Sequence, residues 1–199
     1  MMNKAIAIAF MLGMSSQAAV VHAADPASDT VQTLQNGLLA IMKAGAPAGL
    51  SGRERLILPV IDRTFDIPLM TRLAVGPSWT SIGAADQAKL VSAFRDMTIA
   101  EYASNFDGYS GERFTMAAQV LTRGSDKLVR TTLISPGSNP ESLNYRLRES
   151  GGKWKIIDVY YRNSISQLAT RRSDFATVLK KGGAKALISH LEQLAAKPG

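Results

Sequence analysis

The sequence predicts an α+β domain in which helices from both ends of the chain pack on one face of an antiparallel sheet. Three observations carry this. Apolar residues recur at helical spacing before residue 106 and again after residue 164. Between those limits they alternate singly, as in half-buried strands. The alternating runs are joined by short turns such as Arg123-Gly124-Ser125-Asp126 and Ser150-Gly151-Gly152, so successive strands pair as a four-stranded meander.

The elements follow in order. Residues 25–30 (DPASDT) read as a flexible start, and Val31, Leu34, Leu38, Ile41 and Met42 predict a helix over 29–44. GAPAGLSG (45–52) is a turn-rich break. Ser51 stands three residues before Glu54, the spacing of a capping box, and Pro59 is expected to kink or end the helix that follows. A short helix is expected over 68–75, stopped by Gly76-Pro77, and a long one over 84–106. Strands are expected over 114–120, 127–135, 143–147 and 154–161. Ser164 and Gln167 have capping-box spacing for a helix that ends at Gly182 as its C′ residue, and Ala184–Leu194 form a final helix.

The N-terminus reads as an export signal. A basic start (MMNK) leads into an apolar run, Ala5–Met14, and then to Val21-His22-Ala23, which has small-residue cleavage chemistry. Residues 1–23 are therefore expected to be a signal peptide cut after Ala23, leaving 24–199 as one exported domain. An uncleaved anchor is the alternative, but the run falls short of the roughly 20 apolar residues that span a bilayer. Removal of Lys4 lowers the formal charge from +7 to +6. Export makes nucleic acid an unsuitable partner for the basic doublets Arg171-Arg172 and Lys180-Lys181, and anionic headgroups or acidic protein surfaces suit them better.

The chain has no cysteine, and beyond the signal its one histidine is His190, on an amphipathic helix. Soft-metal sites and a Ser-His-Asp triad are therefore not expected, and no nucleotide-binding glycine loop is present. No cofactor, metal or catalytic residue is assigned. Asp158 alone stands out, interrupting an apolar strand. It either acts as a general base or is held by backbone donors or by an arginine such as Arg171 or Arg172.

The run Trp154-Lys155-Ile156-Ile157-Asp158-Val159, then Ile165-Ser166, Arg171-Arg172-Ser173-Asp174-Phe175 and Leu179-Lys180-Lys181-Gly182-Gly183, resembles the C-terminal signature of the MlaC family. These are periplasmic phospholipid-binding auxiliary proteins of toluene-tolerance-type ABC transport systems. Phe65-Asp66, Leu69, Arg72, Leu73, Gly76, Trp79, Phe94-Arg95 and Tyr102 resemble its N-terminal half. Leu168–Gly183 is most similar to the hopanoid-associated HpnM branch. One departure is Asn163, standing near the place of the family's glycine; asparagine tolerates positive φ best among non-glycine residues.

The resemblance implies an NTF2-like fold around an apolar pocket. It also implies a carrier that moves phospholipid or a hopanoid-like lipid between inner- and outer-membrane transport complexes. The residues allow such a pocket. Val129, Leu133, Leu143, Tyr145, Leu147, Val159 and Tyr161 supply a sheet face, and Phe94, Met97 and Tyr102 a helix face. Arg171, Arg172, Lys180, Lys181 and Lys185 are expected at the rim, for headgroups or docking. An enzyme using Asp158 and an accessory subunit with a filled core are the alternatives.

Overall fold

The structure, a computed structural model, describes residues 25–197. The expected signal peptide lies outside the described residues. Helix α1 (Pro26–Thr64) is followed by α2 (Ile67–Val75), a 3₁₀ segment (Gly76–Ser81) and α3 (Ala84–Asn105). Seven strand segments come next: β1 (Arg113–Met116), β2 (Leu121–Arg123), β3 (Asp126–Val129), β4 (Thr131–Ile134), β5 (Glu141–Ser150), β6 (Lys153–Tyr161) and β7 (Ile165–Ser166). Helix α4 (Gln167–Ala196) closes the fold.

Helix α1 begins at Pro26, three residues before the expected start at residue 29. Asp25 caps α1 by accepting from the Ala27 N–H (2.9 Å), and Pro26 sits at the first helical position, where its missing N–H costs nothing. The expected break at 45–52 is a double kink at Gly45 and Gly49, whose φ values of 53° and 61° suit only glycine. Pro59 neither kinks nor ends the helix, which runs on to Thr64. Pro59 and Arg55 are both exposed, so water takes up the backbone carbonyl that the proline leaves unbonded.

Arg53 fastens this kink. Its guanidinium is buried, and it donates from Nε to the Ala103 carbonyl (2.7 Å) and from Nη1 to the Gly45 carbonyl (3.0 Å). Gly45 ends the first arm of α1, and Ala103 lies in the last turn of α3. One cation therefore serves the negative ends of two helix dipoles.

The four expected strands are present as an antiparallel meander, with two of them broken. The first is interrupted between β1 and β2, the second at Arg130 between β3 and β4. The second break leaves the pairing with β5 in one register: Val129 lies opposite Tyr145, and Thr132 opposite Ser142. Side chains splice the ladder there. The Thr131 N–H donates to Asn144 Oδ1 (3.1 Å), and the Thr131 hydroxyl donates to the Leu143 carbonyl. A bulge in β6 puts Arg146 opposite Asp158 and Leu147 opposite Ile156, leaving Ile157 as the extra residue. At the same place the Asp66 N–H donates to the Ile156 carbonyl (2.9 Å), which ties the α1–α2 corner to the sheet.

The start of α4 falls two residues later than expected. Ile165 and Ser166 pair with β6 as β7, and the N-cap is Ser166, accepting from the Ala169 N–H (2.9 Å). The helix also passes Gly182 and bends at Gly183, where φ is 66°. Asn163 lies at φ 68°, as its tolerance allows, and Arg162 beside it at φ 49°. Asn163 Oδ1 also accepts from Asn144 Nδ2 (2.9 Å). Replacing Asn163 with alanine forfeits both properties and is expected to cost about 1–2 kcal/mol. In a thermal melt that is a fall of about 2–4 °C per kcal/mol.

The helices cover one face of the sheet. The core runs between Val31, Leu34, Leu38 and Ile41 of α1, Leu90 and Phe94 of α3, Phe175 and Leu191 of α4, and Val129, Tyr145 and Ile156 of the sheet.

Candidate functional site

Toward one end of the sheet the two layers part and enclose a cavity of about 400 Å³. Leu133, Leu143, Tyr145, Val159 and Tyr161 form its floor, because alternation turns these strand positions toward the helices. Phe94, Thr98 and Tyr102 form its roof, one helical turn apart along α3. Phe65 and Met70 close the α1–α2 side, and Gln167, Leu168 and Arg171 of α4 close the other. Asn105 is exposed, and it marks the mouth together with Phe106 and Glu141.

Aromatic contacts stiffen the roof. Tyr102 meets Phe65 edge-on (5.6 Å, 72°) and stacks on Phe106 (5.8 Å, 11°). Burial pushes the phenol pKa of Tyr102 up, and that of Tyr145 well up, so both stay neutral hydroxyls. Arg171 lies in the wall. It pairs with Glu101, sits 5.6 Å from the Phe94 ring centre, and directs Nη1 to the Met97 sulfur at 3.4 Å. Glu141 accepts from the Tyr161 hydroxyl (2.9 Å). The walls are thus mainly apolar and aromatic, and their charged groups are engaged, Arg171 with Glu101 and Glu141 with the Tyr161 hydroxyl.

Seven of the ten sheet and helix residues expected at a pocket line this cavity: Phe94, Tyr102, Leu133, Leu143, Tyr145, Val159 and Tyr161. Met97, Val129 and Leu147 are fully buried in the adjoining core. The basic residues separate. Arg171 faces inward, whereas Arg172, which lies against Gly76, and Lys180, Lys181 and Lys185 are exposed on the outer side of α4. Glu101, Asn105, Glu141 and Gln167 were not legible as wall residues, because each is a polar residue near an element end.

Asp158 is buried and does not line the cavity. Its Oδ1 accepts from the N–H groups of Val159 (2.8 Å) and Leu168 (3.0 Å), and its Oδ2 from the Ser166 hydroxyl (2.6 Å). Backbone donors hold it, not an arginine, and it anchors the first turn of α4. Among the described residues no group of His, Asp and Glu is placed to hold a metal ion, and no helix is long and apolar enough to cross a membrane.

Fold and site together define an α+β domain with a hydrophobic cavity between a half-covered, bent sheet and its helices. The chain belongs to the MlaC protein family, whose model matches residues 32–193. Seven chains of solved structures match it. One is a phospholipid-binding protein from Ralstonia solanacearum, solved in complex with a phospholipid. It is 24% identical, with a TM-score of 0.74 over 85% of this chain and 97% of its own. No curated protein matches significantly.

Proposed function

We propose that the protein is a soluble carrier that holds a lipid by its apolar tails, with phospholipid as the first candidate cargo and a hopanoid-like lipid as the second. The observation that carries this is the cavity. It opens at one end, and its walls come from helix and sheet faces that would otherwise pack as core. Its volume lies low in the ~300–1,000 Å³ range of ligand pockets. Each buried CH₂ contributes about 0.8 kcal/mol, which favours enclosure of the tails over a shallow surface patch. The phospholipid complex of the Ralstonia solanacearum protein supports the choice of cargo.

The N-terminal signal supports a periplasmic location. The exposed Arg172, Lys180, Lys181 and Lys185 suit acidic docking surfaces on membrane transport complexes. Charge reversal at Arg172 and Lys180 is expected to weaken docking and leave the fold intact, as read by partner pull-down and thermal melting. The general-base reading of Asp158 lacks comparable support, because both of its oxygens are engaged by donors outside the cavity.

Native mass spectrometry of the purified protein, followed by solvent extraction and lipid identification, tests the carrier reading. A stoichiometric lipid that leaves only on unfolding is the expected result. A bare protein mass that stays bare after incubation with phospholipid vesicles would sink it.

A further inference from the structure

The sheet face turned away from the helices carries a second arrangement, independent of the lipid cavity. Residues directly opposite on neighbouring strands share a face. The register therefore sets Arg123, Asp126, Arg148 and Lys155 in one row, and Leu121, Leu128, Arg146 and Asp158 in the next. Asn144 stands opposite Tyr160 further along. A groove of about 320 Å³ lies here, with Arg123, Arg146, Asn163 and Tyr160 among its walls.

The acceptors of this groove are spent. Asp126 is buried and takes Arg146 Nε (2.6 Å), Arg148 Nε (2.6 Å) and Arg148 Nη2 (3.0 Å). Asn144 Oδ1 is fixed by the Thr131 N–H, which can only donate, so Asn144 Nδ2 must donate in turn to Asn163 Oδ1. What remains toward the groove is a set of donors: the outer N–H groups of Arg146, the Asn163 amide, the Tyr160 hydroxyl and the Arg123 guanidinium. Arg123 has no ion-pair partner among the described residues. By register, Arg123, Arg146, Arg148 and Lys155 stand against Asp126 and Asp158, a surplus of two positive charges.

We propose that this groove binds a phosphate group. A phosphate monoester carries close to two negative charges near neutral pH and matches the surplus, whereas a carboxylate would leave one charge over. Guanidinium forks suit phosphate oxygens in pairs. Asp126 already holds two of the forks, so binding freezes few additional side chains. The group comes either from a free phosphate compound or from a phosphomonoester headgroup in a membrane, and the test separates the two.

The purified protein is titrated with inorganic phosphate alone, followed by phosphorus NMR line width and calorimetry. It is also sedimented with phosphatidylcholine vesicles with and without phosphatidic acid. Saturable phosphate binding is expected, weakened about ten-fold in Arg123→Ala. It should be lost when Asp126→Leu, Arg146→Met and Arg148→Met are combined, a change that removes the cluster whole and leaves no buried charge unpaired. Should that triple variant fail to fold by circular dichroism, Arg123→Ala decides alone.

Vesicle binding lost in the same variants assigns the headgroup as the source. Phosphate binding without vesicle binding assigns the free compound. No saturable binding of either probe, or binding unchanged by Arg123→Ala, overturns the proposal, as does vesicle binding that depends only on the basic side of α4.

Discussion

Asp158→Ala is expected to lower folding stability by about 4 kcal/mol in chemical denaturation. The change strips the acceptor from two buried N–H groups and one hydroxyl, and hydrogen bonds to charged groups are worth about 1.5–3 kcal/mol each, without full additivity. Asp158→Asn is expected to cost far less. The Val159 and Leu168 N–H groups both donate to Oδ1, which an asparagine oxygen can replace. The new NH₂ can donate to the Ser166 hydroxyl, which still accepts from the Ala169 N–H. The asparagine variant should therefore fold and load lipid normally. A general base would give the opposite pattern, with function abolished by the isosteric change; that outcome would return Asp158 to the chemistry.

Leu143→Trp is expected to lower lipid loading strongly while the protein still folds. Leu143 lines the cavity opposite Tyr161 on the neighbouring strand, and it is half-buried. An indole there projects into space that now holds no protein atoms. Overpacking costs typically about 1–3 kcal/mol, which a domain of this size can absorb. Lipid recovered per protein after extraction should fall by about ten-fold, the effect of losing roughly two buried methylenes or more. Unchanged loading would mean that the tails lie elsewhere.

Acid should act on the outer sheet face. Burial pushes the Asp126 carboxyl up, but the hydrogen bonds from Arg148 and Arg146 outweigh it and hold it below its ordinary value. A carboxyl lowered on folding adds stability above its unfolded pKa and loses it as pH falls toward the folded one. Wild-type stability is therefore expected to fall below about pH 4, and Asp126→Asn should flatten that part of the curve.

The helix stripes and alternating runs were legible because period is a local property. Asp25-Pro26 carries helix-start chemistry, a capping carboxylate followed by an N1 proline, which the polarity of the DPASDT run hides. Strand breaks at residues 117–120 and at Arg130 were not legible. They fall where the edge run passes from pairing with β4 to pairing with β3, and no turn residue marks them. The role of Arg53 is not local either, since its two carbonyl partners lie 8 and 50 positions away. The aromatic and aliphatic floor of the cavity could be listed from alternation. Which of those residues face empty space and which meet packed atoms is decided by how far the layers part, and Val129 and Leu133 on one strand run differ in just this way.

The interruption in the sheet has a consequence for how such a protein can diversify. Between β1 and β2 the edge run carries four residues where its neighbour has two, an even excess that leaves inward and outward positions unchanged on either side. The break at Arg130 shifts no register against β5. The residues of the interruption are thus separate from those that line the cavity. Lengthening or shortening the interruption by pairs would move the edge run without turning a single floor residue outward. Related chains can therefore differ in length at this edge while the lining stays as it is.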